Sequence, residues 1–170
     1  MHKIYKIRKA FLIPFSITIM LLFILLLISL FAGQKWEQII LSFLFLSSLA
    51  CGIEMSRRQM IVSEEGLQIK KFFRTNNFSW PEITQLAVVV MRNKAYFLLT
   101  TTNGFHIFSN LFENHALLIR SIMDNLEEER IELEIKNYLE HPVERRSLVV
   151  MSWVTVIIVI AIIFSKLLMF

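Results

Sequence analysis

Cysteine, glycine and proline are scarce in this sequence of 170 residues, and each shortage excludes a class of protein. The single cysteine, Cys51, excludes an internal disulfide framework and any zinc site built from several cysteines. Four glycines and three prolines exclude collagen-like and low-complexity chains. Apolar residues instead make up 55% of the chain, and the mean hydropathy is +0.58, above the range of ordinary soluble domains. The composition therefore indicates a membrane protein whose water-soluble part is small.

Three long apolar segments predict three transmembrane helices. Residues 11–32 contain no charge and reach about 33 Å as a helix, which exceeds a hydrocarbon core of about 30 Å. Residues 36–53 reach about 27 Å, so they span only in an upright orientation or where the lipid thins around them. With the first segment they predict a transmembrane hairpin over residues 11–54. Residues 148–170 contain one charge, Lys166, whose long side chain can reach the interface.

The cations beside these segments predict the orientation of the chain. One side of the membrane receives eight cations. Four belong to the basic N-terminal tail, residues 1–10, and four form two further pairs: Lys3, Lys6, Arg8 and Lys9, then Arg57 with Arg58 and Arg145 with Arg146. The opposite side receives only Lys35 and Lys166. Because cytoplasmic loops carry the excess of Lys and Arg, we expect a multi-pass protein of the cell inner membrane. Its N-terminus and middle segment are expected in the cytoplasm and its C-terminus outside.

The middle segment, residues 59–141, is acidic although the whole chain has a net charge of +4 and a pI near 9.4. It holds eight Lys and Arg against eleven Asp and Glu, a balance of −3. The positive charge therefore belongs to the membrane flanks, and no nucleic-acid partner is expected. The central parts of the apolar segments carry no ionisable residue, which disfavours transport chemistry by this chain alone.

Short apolar runs between turn residues predict about six antiparallel strands in the middle segment. Gly66 and the Asn-Gly pair at 103–104 mark two of the hairpins. A helix is predicted next, with Asn110 as its N-cap and Glu113 at its third position, in the arrangement of a capping box. Residues 127–147 are predicted to form an acidic, helical and solvated connector that returns the chain to the membrane.

Three stretches of the middle segment resemble the bacterial pleckstrin-homology-like (PH-like) domains: Val62–Lys70, Phe78–Ile83 and Phe105–Phe112. The resemblance implies an α+β PH-like domain over residues 57–126, in which a curled antiparallel sheet of six to seven strands is capped by a C-terminal helix. That fold has seven strands, whereas the sequence indicates six. The seventh is expected from a short strand not recognised in the sequence, from the segment after the helix, or from a partner.

Two groups of residues in this segment are candidate sites. The first is a basic cluster, Lys70, Lys71 and Arg74. It predicts either contact with anionic lipid headgroups or a generic solvated or membrane-facing patch. The second group is Trp80, Pro81, Glu82 and Ile83. It is predicted to be a structural motif rather than a ligand contact, because Trp80 can pack over the end of the sheet while Pro81 begins a turn and Ile83 enters the core.

Catalytic residues, cofactors and metal sites are not predicted. The four histidines are His2, His106, His115 and His141, and their spacing matches no metal-binding motif. The sequence also lacks phosphate-binding loops and nucleophile motifs, so an enzyme is not expected. Ser48 and Gly52 place small side chains on one face of the second helix, which favours packing within the chain over association into a homo-oligomer.

The function expected from these features is presentation of the PH-like domain at the cytoplasmic membrane surface for protein interaction, as a scaffold. The expected partners are the lipid bilayer and another membrane or membrane-associated protein, bound along an exposed strand edge or beside the helix. Two alternatives stay open. One is a membrane module that senses anionic lipid through the basic cluster, and the other is an accessory subunit of a membrane enzyme or transporter.

Overall fold

The computed structural model describes residues 2–71, 74–92, 94–144 and 146–168. The chain divides into two compact units. One is helical and contains Lys9–Ser56 with Ser147–Phe170, and the other contains the strands and comprises Met1–Arg8 with Arg57–Arg146.

The helical unit is built from α1 (Lys9–Ala32), α2 (Lys35–Arg57) and α5 (Arg146–Leu168). Among the described residues, these are the three helices long and apolar enough to cross a membrane, with mean hydropathies of 2.9, 1.9 and 2.8. Gly52 of α2 lies against α1, because a Cβ at that position would come within 2.7 Å of the Ile19 Cδ1 atom. The small residue at this point of α2 therefore serves packing within the chain.

The strand unit contains two antiparallel sheets. The four-stranded sheet has the order β1 (Lys3–Lys6), β2 (Gln59–Val62), β3 (Gly66–Lys70) and β4 (Thr75–Ser79). The three-stranded sheet has the order β5 (Ile83–Met91), β6 (Lys94–Thr101) and β7 (Gly104–Ser109). The expected antiparallel strands are present, but they form two separate sheets rather than one curled sheet, so the predicted fold class is matched only in part.

The strand that the sequence did not indicate is β1, which lies in the N-terminal tail. Its residues pair with β2 in register, so that Tyr5 lies opposite Met60. The Tyr5 hydroxyl group also lies 2.9 Å from the hydroxyl oxygen of Ser121, which is 116 positions away in the sequence. In sequence order, α1 and α2 are therefore inserted between the first two strands of one sheet.

Two short helices pack on the core side of the sheets, α3 (His115–Met123) and α4 (Leu133–Glu140). The α3 residues Leu118, Ile119 and Ile122 are fully buried, as a stripe at helical spacing requires. The segment with α4 is not solvated throughout, because Ile135 is fully buried and the Tyr138 ring contacts Phe97 with centroids 5.3 Å apart.

The predicted N-cap of the helix is wrong. The α3 helix begins at His115, with Asn114 as its N-cap residue in the left-handed region, so Asn110 lies four residues before the cap. The Asn110 side chain is fully buried and donates to the Val143 carbonyl over 2.7 Å. A partner distant in sequence, rather than the next helical turn, therefore holds this side chain.

Candidate functional site

The free edges of the two sheets are those of β4 and β7. Among the described residues, neither strand has a strand partner on its outer side. The other two end strands are partly covered, since residues 111–113 bond to the backbone at the end of β1 and the Glu132 amide donates to the Leu86 carbonyl of β5. A row of outward backbone donors and acceptors can bind an extended chain as an additional strand.

Hydrogen bonding fixes which groups of β4 point outward. The Lys71 amide donates to the Arg74 carbonyl over 2.8 Å, which makes these two residues a hydrogen-bonded pair of the β3–β4 ladder. Hydrogen-bonded and non-hydrogen-bonded pairs alternate along an antiparallel ladder. The backbone groups of Thr75 and Asn77 therefore point away from β3, toward the free edge.

A shallow depression of about 440 Å³ lies beside this edge. Its lining includes His2, Ile61, Gly66, Gln68, Asn77 and Ser79. The Gln68 side-chain amide donates to the Asn77 side-chain carbonyl over 2.7 Å, so a hydrogen bond between exposed side chains links β3 and β4 beside the depression. An added strand on β4 would place alternate side chains over this depression.

The basic cluster lies at the opposite end of the same hairpin. Lys70 ends β3, Lys71 follows it, and the exposed Arg74 precedes β4. The strand register also aligns Lys6 with Gln59, and Gln59 with Lys70, so both lysines lie on the same outer face of the sheet. Lys6 thus joins the cluster through the sheet, although 64 positions separate it from Lys70 in the sequence.

The Trp80–Glu82 segment is a single 3₁₀ turn that connects the two sheets. The Trp80 indole N–H donates to two carbonyls of the β2–β3 turn, over 3.2 and 3.0 Å, and Pro81 lies within the 3₁₀ turn. The Glu82 carboxylate accepts from the backbone N–H of Ser79 over 2.8 Å, and this bond lowers the pKa of Glu82. Ile83 is fully buried directly afterwards.

The two central histidines occupy different environments. The His106 ring lies on Phe78, with centroids 4.6 Å apart, and burial together with the charge of Lys71 lowers the pKa of His106. His115 is only 7% exposed, and burial followed by the charge of Arg8 lowers its pKa. Within the part of the chain that the structure describes, no three His, Cys, Asp or Glu side chains lie together in a metal-binding arrangement.

A buried polar cluster was not recognised in the sequence. Asn110 and Tyr138 both donate to the Val143 carbonyl, over 2.7 and 3.3 Å, and burial raises the pKa of Tyr138 to about 12. The Asn110 Oδ1 and His115 Nε2 atoms are buried without a hydrogen-bond partner. Asn110 and His115 lie 23 to 33 positions before Tyr138 and Val143 in the sequence, so no local pattern indicates the cluster.

Comparison of the chain with protein-family models, with curated proteins and with solved structures gives no match.

Proposed function

We propose that this chain is a multi-pass protein of the cell inner membrane that presents a PH-like domain in the cytoplasm. The domain binds an extended segment of a membrane or membrane-associated protein along β4. The strand count supports the PH-like assignment, because seven antiparallel strands in sheets of four and three are followed by α3. The excess of cations at one set of helix ends supports the cytoplasmic orientation.

The observation that carries the proposal is the outward backbone of Thr75 and Asn77 on the free edge of β4. At one end of this edge lies the depression that Asn77 lines, and at the other lie the cations Lys70 and Arg74. An extended peptide with an acidic end satisfies both features. Backbone bonds supply its affinity and the two ends fix its direction.

A proline at position 77 tests the edge directly. Asn77→Pro removes an outward N–H that the β3–β4 ladder does not use, whereas Asn77→Ala removes only the side chain. We expect a partner that co-purifies with the full chain in gentle detergent to be retained by Asn77→Ala. Asn77→Pro should reduce its recovery about tenfold, as the loss of roughly one backbone bond predicts.

Mass spectrometry of the purified complex measures the recovery, and thermal unfolding shows that both variants are folded. Equal recovery with Asn77→Pro and the unmodified chain would contradict binding along β4. Loss of the partner with Asn77→Ala as well would assign the contact to the side chain instead of the edge.

The cross-strand alignment of Lys6 with Lys70 favours a second function, in which the domain senses anionic lipid. Each cation near an anionic leaflet contributes about 1 kcal/mol. The triple variant with Lys70, Lys71 and Arg74 replaced by Ala separates the two functions. Loss of a co-purifying anionic lipid without loss of a protein partner would support lipid sensing by the cluster.

A further inference from the structure

The outer face of the three-stranded sheet carries exposed apolar side chains. The register of β5, β6 and β7 places the side chains of Val89, Met91, Phe105 and Ile107 on the face opposite the core. Their exposed fractions are 55%, 62%, 74% and 60%. An antiparallel sheet with one face in water normally alternates apolar and polar side chains. A face of this composition is expected to contact another apolar phase.

The charged residues beside this outer face indicate which apolar phase it contacts. The sequence from Ile83 to Ser109 contains no Asp or Glu, although the chain has 14 acids. It contains two cations, Arg92 and Lys94, at the exposed turn between β5 and β6, next to Met91. Exposed apolar side chains with cations beside them match the headgroup region of an anionic bilayer.

One acid does reach the edge of this face. The Glu132 carboxylate accepts from the Gln85 side chain over 2.7 Å, near the start of β5. The register puts Gln85 in the row of Thr100 and Phe105, at the other end of the sheet from the Arg92 turn. The face is therefore asymmetric, with its cations grouped at the β5–β6 turn.

We propose that the outer face of the β5–β6–β7 sheet, which we name the apolar face and define by Val89, Met91, Phe105 and Ile107, rests on an anionic leaflet. Arg92 and Lys94 contact the lipid phosphates while the apolar side chains enter the headgroup layer. The three helices long and apolar enough to cross a membrane tether the strand unit at the bilayer, so weak contact suffices. The inference shares membrane attachment with the proposed function but does not depend on β4.

Site-specific fluorescence in nanodiscs tests this placement. The full chain carrying Cys51→Ser receives an environment-sensitive dye at Phe105→Cys or Ile107→Cys. It is then reconstituted in phosphatidylcholine with or without phosphatidylglycerol. Leu117→Cys on α3 is the matched control, because Leu117 is also apolar and is 53% exposed but lies outside the apolar face. We expect blue-shifted emission and several-fold stronger quenching by nitroxide lipids at positions 105 and 107 than at 117, increasing with phosphatidylglycerol.

The cations give the second arm of the experiment. Lys94→Glu is expected to lower the equilibrium constant for contact at least about fivefold, since one cation is lost. Arg120→Glu, which makes the same charge change on the exposed side of α3, should leave it unchanged. Dyes that stay in water with phosphatidylglycerol present would overturn the proposal. Shielding found only in nanodiscs that hold two copies would overturn it as well, by assigning the face to a second copy of the chain.

Discussion

His115 differs from a surface histidine in its surroundings, because only 7% of the residue is exposed. Its ring lies 6.0 Å from that of Tyr138, and the charges of Arg8 and Glu144 act on it in opposite directions. Burial is the largest effect, so the neutral form of the imidazole is favoured in the folded protein. Folding therefore makes protonation of the His115 imidazole less favourable.

The stability of the strand unit is expected to fall in acid because of His115. Folding lowers the pKa of this residue, so the unfolded chain binds a proton more readily than the folded one. Stability is then complete above the ordinary histidine pKa of about 6.5 and decreases as the pH falls below it. We expect the unfolding temperature to depend less on pH in His115→Gln, which carries no titrating group.

Trp80 fluorescence measures this unfolding in a chain with Trp36→Phe and Trp153→Phe, since Trp80 is the one tryptophan of the strand unit. The pKa of His106 is lowered as well, so His106→Gln is the control for the second histidine. An acid dependence unchanged by His115→Gln would contradict the assignment.

Sequence patterns predicted the role of a single residue correctly only where the residue that it contacts is close to it in the sequence. The Trp80–Glu82 turn uses the neighbouring Ser79, and Ile83 enters the core as the sequence predicted. The capping pattern at Asn110 was misleading because Val143 competes for its side chain. That contact joins residues 33 positions apart, which spacing within one helix cannot indicate.

The first strand is the element that the sequence concealed. Lys3–Lys6 is short and cationic, and the positive-inside rule already accounts for its charges as those of a membrane flank. Its partner β2 lies beyond both α1 and α2. The polar Thr75–Asn77 stretch likewise carries two asparagines, a residue type depleted in strands, although it forms most of β4. An edge strand tolerates such residues because one of its sides needs no partner.

The destabilisation caused by a proline in β1 is expected to depend on whether the N–H that it removes points toward β2 or away from it. The amides of Glu113 and Arg8 bond at the outer side of this segment, which makes Lys6 outward and, by alternation, Tyr5 inward toward β2. Tyr5→Pro should therefore lower the free energy of unfolding by about 2–3 kcal/mol through an unpaired buried carbonyl on Met60.

Two variants complete this measurement by thermal unfolding. Ile4→Pro should cost less than about 1 kcal/mol, because its N–H points outward. Tyr5→Phe separates the backbone effect from loss of the hydroxyl contact with Ser121. Equal destabilisation by Ile4→Pro and Tyr5→Pro would show that β1 does not pair with β2 in this register.

At the scale of the molecule, hydropathy identified the three apolar helices well because lipid imposes a length and a composition on them. The second helix, Lys35–Arg57, is longer than the predicted segment of residues 36–53, and it carries charges at both ends. One of these, Glu37 in the first turn of α2, pairs with Lys166 in the last turn of α5. The pair places the start of α2 and the end of α5 on the same side of the helical unit.

This arrangement predicts the accessibility of the whole chain in intact cells. The side with Glu37 and Lys166 carries few cations, whereas the opposite helix ends carry Lys9, Arg57 and Arg146, so the first side should face outward. In a Cys51→Ser background, Gln34→Cys is expected to react with a membrane-impermeant maleimide. Asn103→Cys, in the β6–β7 turn, should react only after the membrane is opened. Labelling of Asn103→Cys with protection of Gln34→Cys would reverse the orientation and remove the proposed cytoplasmic partner, because the strand unit would then lie outside the cell.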